Sequence, residues 1–170
     1  MSLLDARDNE ERSYLDLVDA LSRYGAAPTE DIRALWRRMV FNILISNTDD
    51  HLRNHGFLYE SPSGWRLSPT YDLNPVPMDI RPRILSLSID ETEATASLEL
   101  AMKVASYFRL EEREAAPIAA EVGRSVSNWR NEAKAIGLSS GAIERMESAF
   151  EHEDLNLALT PSSVSSRRKR

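Results

Sequence analysis

The run Thr29-Glu30-Asp31-Ile32-Arg33-Ala34-Leu35-Trp36-Arg37-Arg38-Met39-Val40-Phe41-Asn42-Ile43-Leu44, with its continuation Asn47-Thr48-Asp49-Asp50-His51-Leu52-Arg53-Asn54, decides how this chain is built. Ile32, Leu35, Trp36, Met39, Val40, Ile43 and Leu44 recur at spacings of three and four, which places them on one face of a helix. Thr29, following Pro28, has N-cap chemistry, and Glu30 and Asp31 sit where the positive end of the helix dipole favours them. The C-terminus of this helix feeds directly into the polar loop. A cluster of carboxylates, amides and a histidine is therefore expected to hang from a buried rod.

Working outward, Tyr14, Leu15, Leu17, Val18 and Leu21 predict an earlier helix that stops near Gly25. After the loop, residues 56–60 and 65–68 read as two short strands. Ser61-Pro62-Ser63-Gly64 between them has turn chemistry, which predicts a β-hairpin that returns Asp72 towards Asp49 and Asn54. Pro69, Pro75, Pro77 and Pro82 interrupt regular structure, so residues 71–83 are expected to be extended, with a short strand through Ile84, Leu85, Leu87 and Ile89. Leu98, Ala101, Met102, Ala105 and Phe108 fit one helix. Ile118, Val122, Val126, Trp129 and Ala133 fit a longer one, with Pro117 near its start or kinking it and Gly137 closing it. Ser139 or Ser140 would cap a last helix through Phe150. The expected fold is mainly α, with one small hairpin beside the loop, over residues 1–158. Residues 159–170, with Arg167-Arg168-Lys169-Arg170, are expected to be a disordered, solvated basic tail that cannot form a core.

The chain has 170 residues, 42% of them hydrophobic and 28% charged, which suits one domain with a real core. A net charge of −6 argues against a general nucleic-acid surface. No apolar run approaches the ~20 residues that span a bilayer, so no membrane association is expected. The first residues lack a secretory pattern, and a cytoplasmic location is the default expectation. With no cysteine, disulfides and thiolate metal sites are excluded.

Asp49, Asn54 five residues on, and Asp72 further downstream follow the order used by kinase-type phosphotransferases. In that chemistry the first carboxylate faces the acceptor hydroxyl, while the amide and the second carboxylate hold Mg²⁺ against nucleotide phosphates. Mg²⁺ takes oxygen ligands and commonly only one or two protein groups, a demand that Asn54 and Asp72 meet. His51 or Arg53 would orient Asp49 or neutralise the transferred group. On spacing alone, the same residues equally fit a helix end followed by an Asx-rich turn that satisfies backbone groups. A metal hydrolase using Asp49, Asp50, His51 and His55 is a weaker fit, because all four crowd one short loop. A nucleophilic hydrolase lacks its G-x-S-x-G elbow. Trp36, Trp65 and Trp129 sit at patterned positions and read as core.

The wider run through Leu67-Ser68-Pro69-Thr70-Tyr71-Asp72 closely resembles the HipA-like family, bacterial serine/threonine kinases of toxin–antitoxin systems whose fold is related to protein and lipid kinases. The family pattern N-x-D-x-H-x-[KR]-N is matched by Asn47, Asp49, His51, Arg53 and Asn54, and L-[ST]-P-x-Y-D by the later run. Ser13-Tyr14-Leu15-Asp16-Leu17 and Trp129-Arg130 extend the resemblance over about residues 13–150. It implies that Asp49 is the catalytic aspartate, Asn54 a metal ligand and Asp72 the metal-binding aspartate of the DFG position, with His51 and Arg53 in the loop's usual slots. It further implies ATP and Mg²⁺, a protein substrate and a HipB-like DNA-binding antitoxin.

One part is absent. The six glycines are scattered, and the only lysines, Lys103, Lys134 and Lys169, all follow the loop. Nothing ahead of Asp49 offers the Gly-rich loop or lysine that grips ATP phosphates. The chain thus reads as a C-terminal lobe that needs an N-terminal lobe or partner chain for activity, and by itself is expected to be inactive. The rival reading is a non-catalytic interaction module of a toxin–antitoxin complex.

Overall fold

The structure, a computed structural model, describes residues 12–60 and 62–160; the basic run at Arg167–Arg170 lies outside them. Helix α1 (Tyr14–Tyr24) opens on a capping box in which Ser13 and Asp16 satisfy each other's backbone N–H groups. Helix α2 (Pro28–Leu44) begins one residue before the expected cap: Pro28 occupies the first turn, where its missing N–H costs nothing, and Thr29 lies inside. Thr29 Oγ1 instead accepts from Arg109, 2.8 Å away. Ile32, Leu35, Trp36, Met39, Val40, Ile43 and Leu44 are all fully buried, and the Trp36 indole donates to the Ala101 carbonyl at 3.0 Å. This helix is the axle of the molecule, packed by α1, the hairpin and the C-terminal helices.

Strands β1 (Phe57–Glu60) and β2 (Gly64–Leu67) form the expected antiparallel hairpin, with Phe57 opposite Leu67 and Glu60 opposite Gly64. Its position is set by Asp31. That buried carboxylate accepts from Nε and a terminal nitrogen of Arg66 at 2.9–3.1 Å and from the Leu67 N–H at 3.0 Å, bolting β2 to the start of α2. Gly64, at φ 117°, passes so close to the α1–α2 connection that a Cβ would meet the Tyr24 carbonyl at 2.5 Å. Only glycine fits there.

Residues 84–89 do not form the expected strand. They make isolated bridges, Ile84 with Thr95 and Ser88 with Ser13, while Leu85, Leu87 and Ile89 are buried and Ile84 is exposed. The apolar alternation is real, but no neighbouring strand runs beside it.

The expected helix through Phe108 is two pieces: α3 (Leu98–Lys103) and a 3₁₀ turn, Ala105–Phe108, ended by Arg109 in the left-handed conformation. Tertiary ties hold that break, since Arg109 reaches Thr29 and Ser22 and its carbonyl accepts from Arg33. The next expected helix is also divided, into α4 (Glu112–Ser127) with Pro117 inside it and α5 (Trp129–Ala135). Ser139 caps α6 (Ser140–Arg145), which is followed by α7 (Glu147–Phe150). A further helix, α8 (Glu153–Leu159), was not expected, and it carries the chain one residue past the anticipated domain limit. It packs closely on α4 at Gly123, where a Cβ would stand 2.8 Å from that of Ala158. Trp36 is core as expected, whereas Trp65 and Trp129 are only half-buried, Trp129 stacking on Phe150. Among the described residues, no helix is long and apolar enough to cross a membrane.

Candidate functional site

The loop begins where α2 is forced to stop. Ser46 adopts φ 52°, and Asn47 N–H returns to the Asn42 carbonyl at 2.9 Å, closing off the helix end. Ser46 Oγ, fully buried, donates to the Ala149 carbonyl at 2.9 Å and accepts from Arg83 Nε at 3.0 Å. The loop entrance is thereby held from two remote parts of the chain.

Inside the loop, polar side chains divide by direction. Asp50 points inward and accepts from the Tyr14 hydroxyl and from His55 Nε2 at 3.0 Å. Asn42 donates to the Tyr14 oxygen at 3.3 Å and accepts from Asn47 at 3.1 Å. Burial, reinforced by the charge of Asp50 and the hydrogen bond to it, holds the Tyr14 hydroxyl well above its ordinary pKa, so it stays a donor. Asp49 points the other way. Its side chain is 56% exposed against 2% for Asp50, and Arg81 stands 3.4 Å from Oδ1. A 3₁₀ turn, Leu52–Asn54, then brings buried Asn54 back beneath Asp49, its amide donating to the Asp49 carbonyl at 3.4 Å. His51 is half-buried with Nδ1 lacking a hydrogen-bond partner, and Arg53 is exposed.

The hairpin returns the chain to this loop. Ser68 N–H bonds the Gly56 carbonyl at 2.9 Å, the Tyr71 hydroxyl donates to the Arg53 carbonyl at 2.6 Å, and Val76 N–H reaches the Ser46 carbonyl at 3.3 Å. Asp72 lies between the last two ties. It is exposed, holds φ 57° and accepts from Asn74 at 2.6 Å. Of the three described non-glycine residues with positive φ, Ser46 and Asp72 are at this site, a concentration of strained backbone that functional loops share.

Asp49 and Asn54 are thus joined on one loop, and the segment bearing Asp72 is stitched to that loop on both flanks. The metal-hydrolase set is broken up, because Asp50 and His55 are spent on each other and on Tyr14. Among the described residues, no group of three or more His, Asp or Glu is placed to hold a metal. The sequence reads Tyr14 only as part of an apolar helix face and of the family resemblance, and gives the other supporting residues, Asn42, Arg81 and Arg83, no role at the site. One signal was available: Asn42 falls on the buried side of α2 between Met39 and Ile43, and a buried amide demands polar partners.

The fold is a mainly helical domain that carries this loop beside a single two-stranded hairpin. The chain belongs to the HipA-like C-terminal domain family, whose model matches residues 1–129. It is 30% identical over 131 residues to a protein of Sinorhizobium fredii (strain NBRC 101917 / NGR234) named "Putative kinase Y4dM", covering 77% of this chain and 28% of that protein. A kinase-named protein of Haemophilus influenzae (strain ATCC 51907 / DSM 11121 / KW20 / Rd) is 30% identical over 86 residues, 48% of this chain and 25% of the relative. The chain therefore spans about a quarter of these relatives. The fold is similar to a chain in the solved complex of HipA, HipB and operator DNA of the Shewanella oneidensis MR-1 toxin–antitoxin system. The TM-score is 0.65 at 20% identity, covering 91% of this chain and 35% of that one.

Proposed function

We propose that this chain is the catalytic-loop lobe of a HipA-like serine/threonine protein kinase. The observation that carries the reading is the double stitch of the Asp72 segment to the loop of Asp49 and Asn54, through Tyr71 on Arg53 and Val76 on Ser46. Asp49, outward and solvent-accessible, aligns the acceptor hydroxyl and takes its proton. Arg81, 3.4 Å from Oδ1, pairs with the carboxylate and orients it. Asn54 spends its amide N–H on the Asp49 backbone, which fixes the side chain's orientation and leaves its oxygen as the ligand atom. With the Asp72 carboxylate it makes a donor set of hard oxygens, which fits Mg²⁺. When bound, Mg²⁺ and ATP supply the phosphoryl group and neutralise its charge. His51 and Arg53 complete the loop's polar rim. ATP binds against a further lobe or partner chain, which carries the phosphate-gripping groups this sequence lacks. A HipB-like antitoxin and a protein substrate are the proposed partners.

The test is phosphoryl transfer from labelled ATP by the chain assembled with the remainder of its protein or its partner lobe. Asp49→Ala should lower the rate about 100-fold or more, with an unchanged circular dichroism spectrum. Asp72→Asn should weaken Mg²⁺-dependent nucleotide binding. Undiminished transfer in the first variant, or unchanged Mg²⁺ dependence in the second, removes the assignment. Partner binding without transfer in any form would favour the interaction-module reading.

A further inference from the structure

We infer that the cleft between α2 and α4 is a binding site for a small amphiphilic anion, a carboxylate or phosphate monoester carried on a compact apolar body. The cleft encloses about 310 Å³, and neither Asp49, Asn54 nor Asp72 lines it. It lies beside the site all the same, because Thr70 and Leu73, on either side of Asp72, form one wall.

Charge balance points to the ligand. Arg37 at the rim is already matched by Glu121 at 2.9 Å. Arg38, half-buried, is not: its guanidinium donates to the Ser68 carbonyl, and among the described residues no carboxylate is within ion-pair distance of it. A guanidinium has five N–H donors in a planar fork suited to carboxylate and phosphate oxygens, and a single backbone carbonyl leaves most of that capacity open. Burial lowers the pKa of Arg38 from the ordinary guanidinium range, opposed by the charges of Asp31 and Asp50. Its cation is therefore poorly solvated where it stands, which raises the gain from an incoming anion. Phe41, Leu73 and Val122 are the apolar part of the lining and shelter the ligand's body, Thr70 and Ser125 are its neutral polar part, and the Glu121 carboxylate at the rim is engaged by Arg37. The volume falls at the small end of ligand sites, roughly 300–1,000 Å³, which limits the occupant to a compact molecule.

The test titrates the isotope-labelled full chain with phenyl phosphate, 3-phenylpropionate and benzyl alcohol, following amide resonances around Phe41, Leu73 and Val122. At least one anion should bind saturably and about ten-fold or more tighter than the neutral alcohol, as expected for a charge-assisted pair. Its identity distinguishes a phosphate ligand from a carboxylate one. Arg38→Met should erase that advantage, and Ser125→Trp, which adds bulk at the exposed rim, should block all three probes. Equal affinity for the alcohol and the anions overturns the proposal, as does anion binding that survives Arg38→Met. If Arg38→Met does not fold, Ser125→Trp decides, and undiminished anion binding by that variant overturns it as well.

Discussion

Asp49 and Asp50 are neighbours with the same chemistry, yet one carboxylate stands half in solvent beside Arg81 and the other is sealed between Tyr14 and His55. Anchoring Asp50 fixes the stretch of backbone from which the preceding Asp49 projects. Asp50→Ala should leave the buried Tyr14 hydroxyl and the His55 ring short of a partner, at a cost of about 3 kcal/mol. The urea midpoint of the variant checks this, and an unchanged midpoint would show the network to be slack. The spacing of Asp49, Asn54 and Asp72 was legible along the chain because all three belong to one local run and the hairpin after it. The role of Asp50 was not legible, since its partner Tyr14 lies 36 residues earlier on an otherwise apolar helical face.

Among the elements, α2 was read almost entirely from its period, because seven apolar residues on one face leave a helix no other arrangement. The late helices were less legible. Stripes such as Leu98 to Phe108 keep their burial while the backbone tightens at Ala105–Phe108, and periodicity does not register that change. Helix α8 escaped notice because its burial rests on Leu155 and Ala158 together with Asp154, a charged residue. Asp154 accepts from Arg83 at 2.6 Å and from the Leu98 N–H at 2.7 Å, partners 71 and 56 residues away. Gly123→Val should force α8 off α4 and destabilise the fold by about 1–3 kcal/mol, read as a lower urea midpoint. His152, the residue immediately before α8, donates from Nε2 to the Leu44 carbonyl at 3.1 Å. Burial first, and then the charge of Arg83, hold its pKa below the ordinary value. As pH falls below about 6.5, the unfolded chain takes up a proton that the folded site resists, so this contribution to stability is complete above that pH and is lost beneath it. Stability should drop between about pH 7.5 and pH 5, and His152→Gln should flatten that slope in paired denaturation curves.

At the scale of the molecule, the helices form a platform that presents one loop, clamped beneath by Tyr14, Arg83 and Ala149 and above by the returning hairpin. In the proposed reading such a platform positions an acceptor hydroxyl, while the sequence places no lysine and no Gly-rich run ahead of Asp49 to grip nucleotide phosphates. The chain by itself should therefore show little ATP affinity and no autophosphorylation in calorimetry and labelled-ATP assays. If the proposed function holds, ATP affinity and transfer should both appear on assembly with a further lobe or partner chain. Robust transfer by the chain alone, lost in Asp49→Ala, would make it a self-sufficient enzyme.

Sequence alone determined the helical class, the axle helix, the hairpin and the identity of the loop residues, because periodicity, turn chemistry and short motifs are local and survive in one dimension. Tertiary structure decided which aspartate faces solvent, where helices break, that a further helix ties through Asp154 to the Arg83 that holds the loop's entrance, and that Arg38 stands in a cleft with no carboxylate within ion-pair distance among the described residues. Those outcomes depend on hydrogen bonds and packing between residues far apart in the chain, whose partners only the folded arrangement selects.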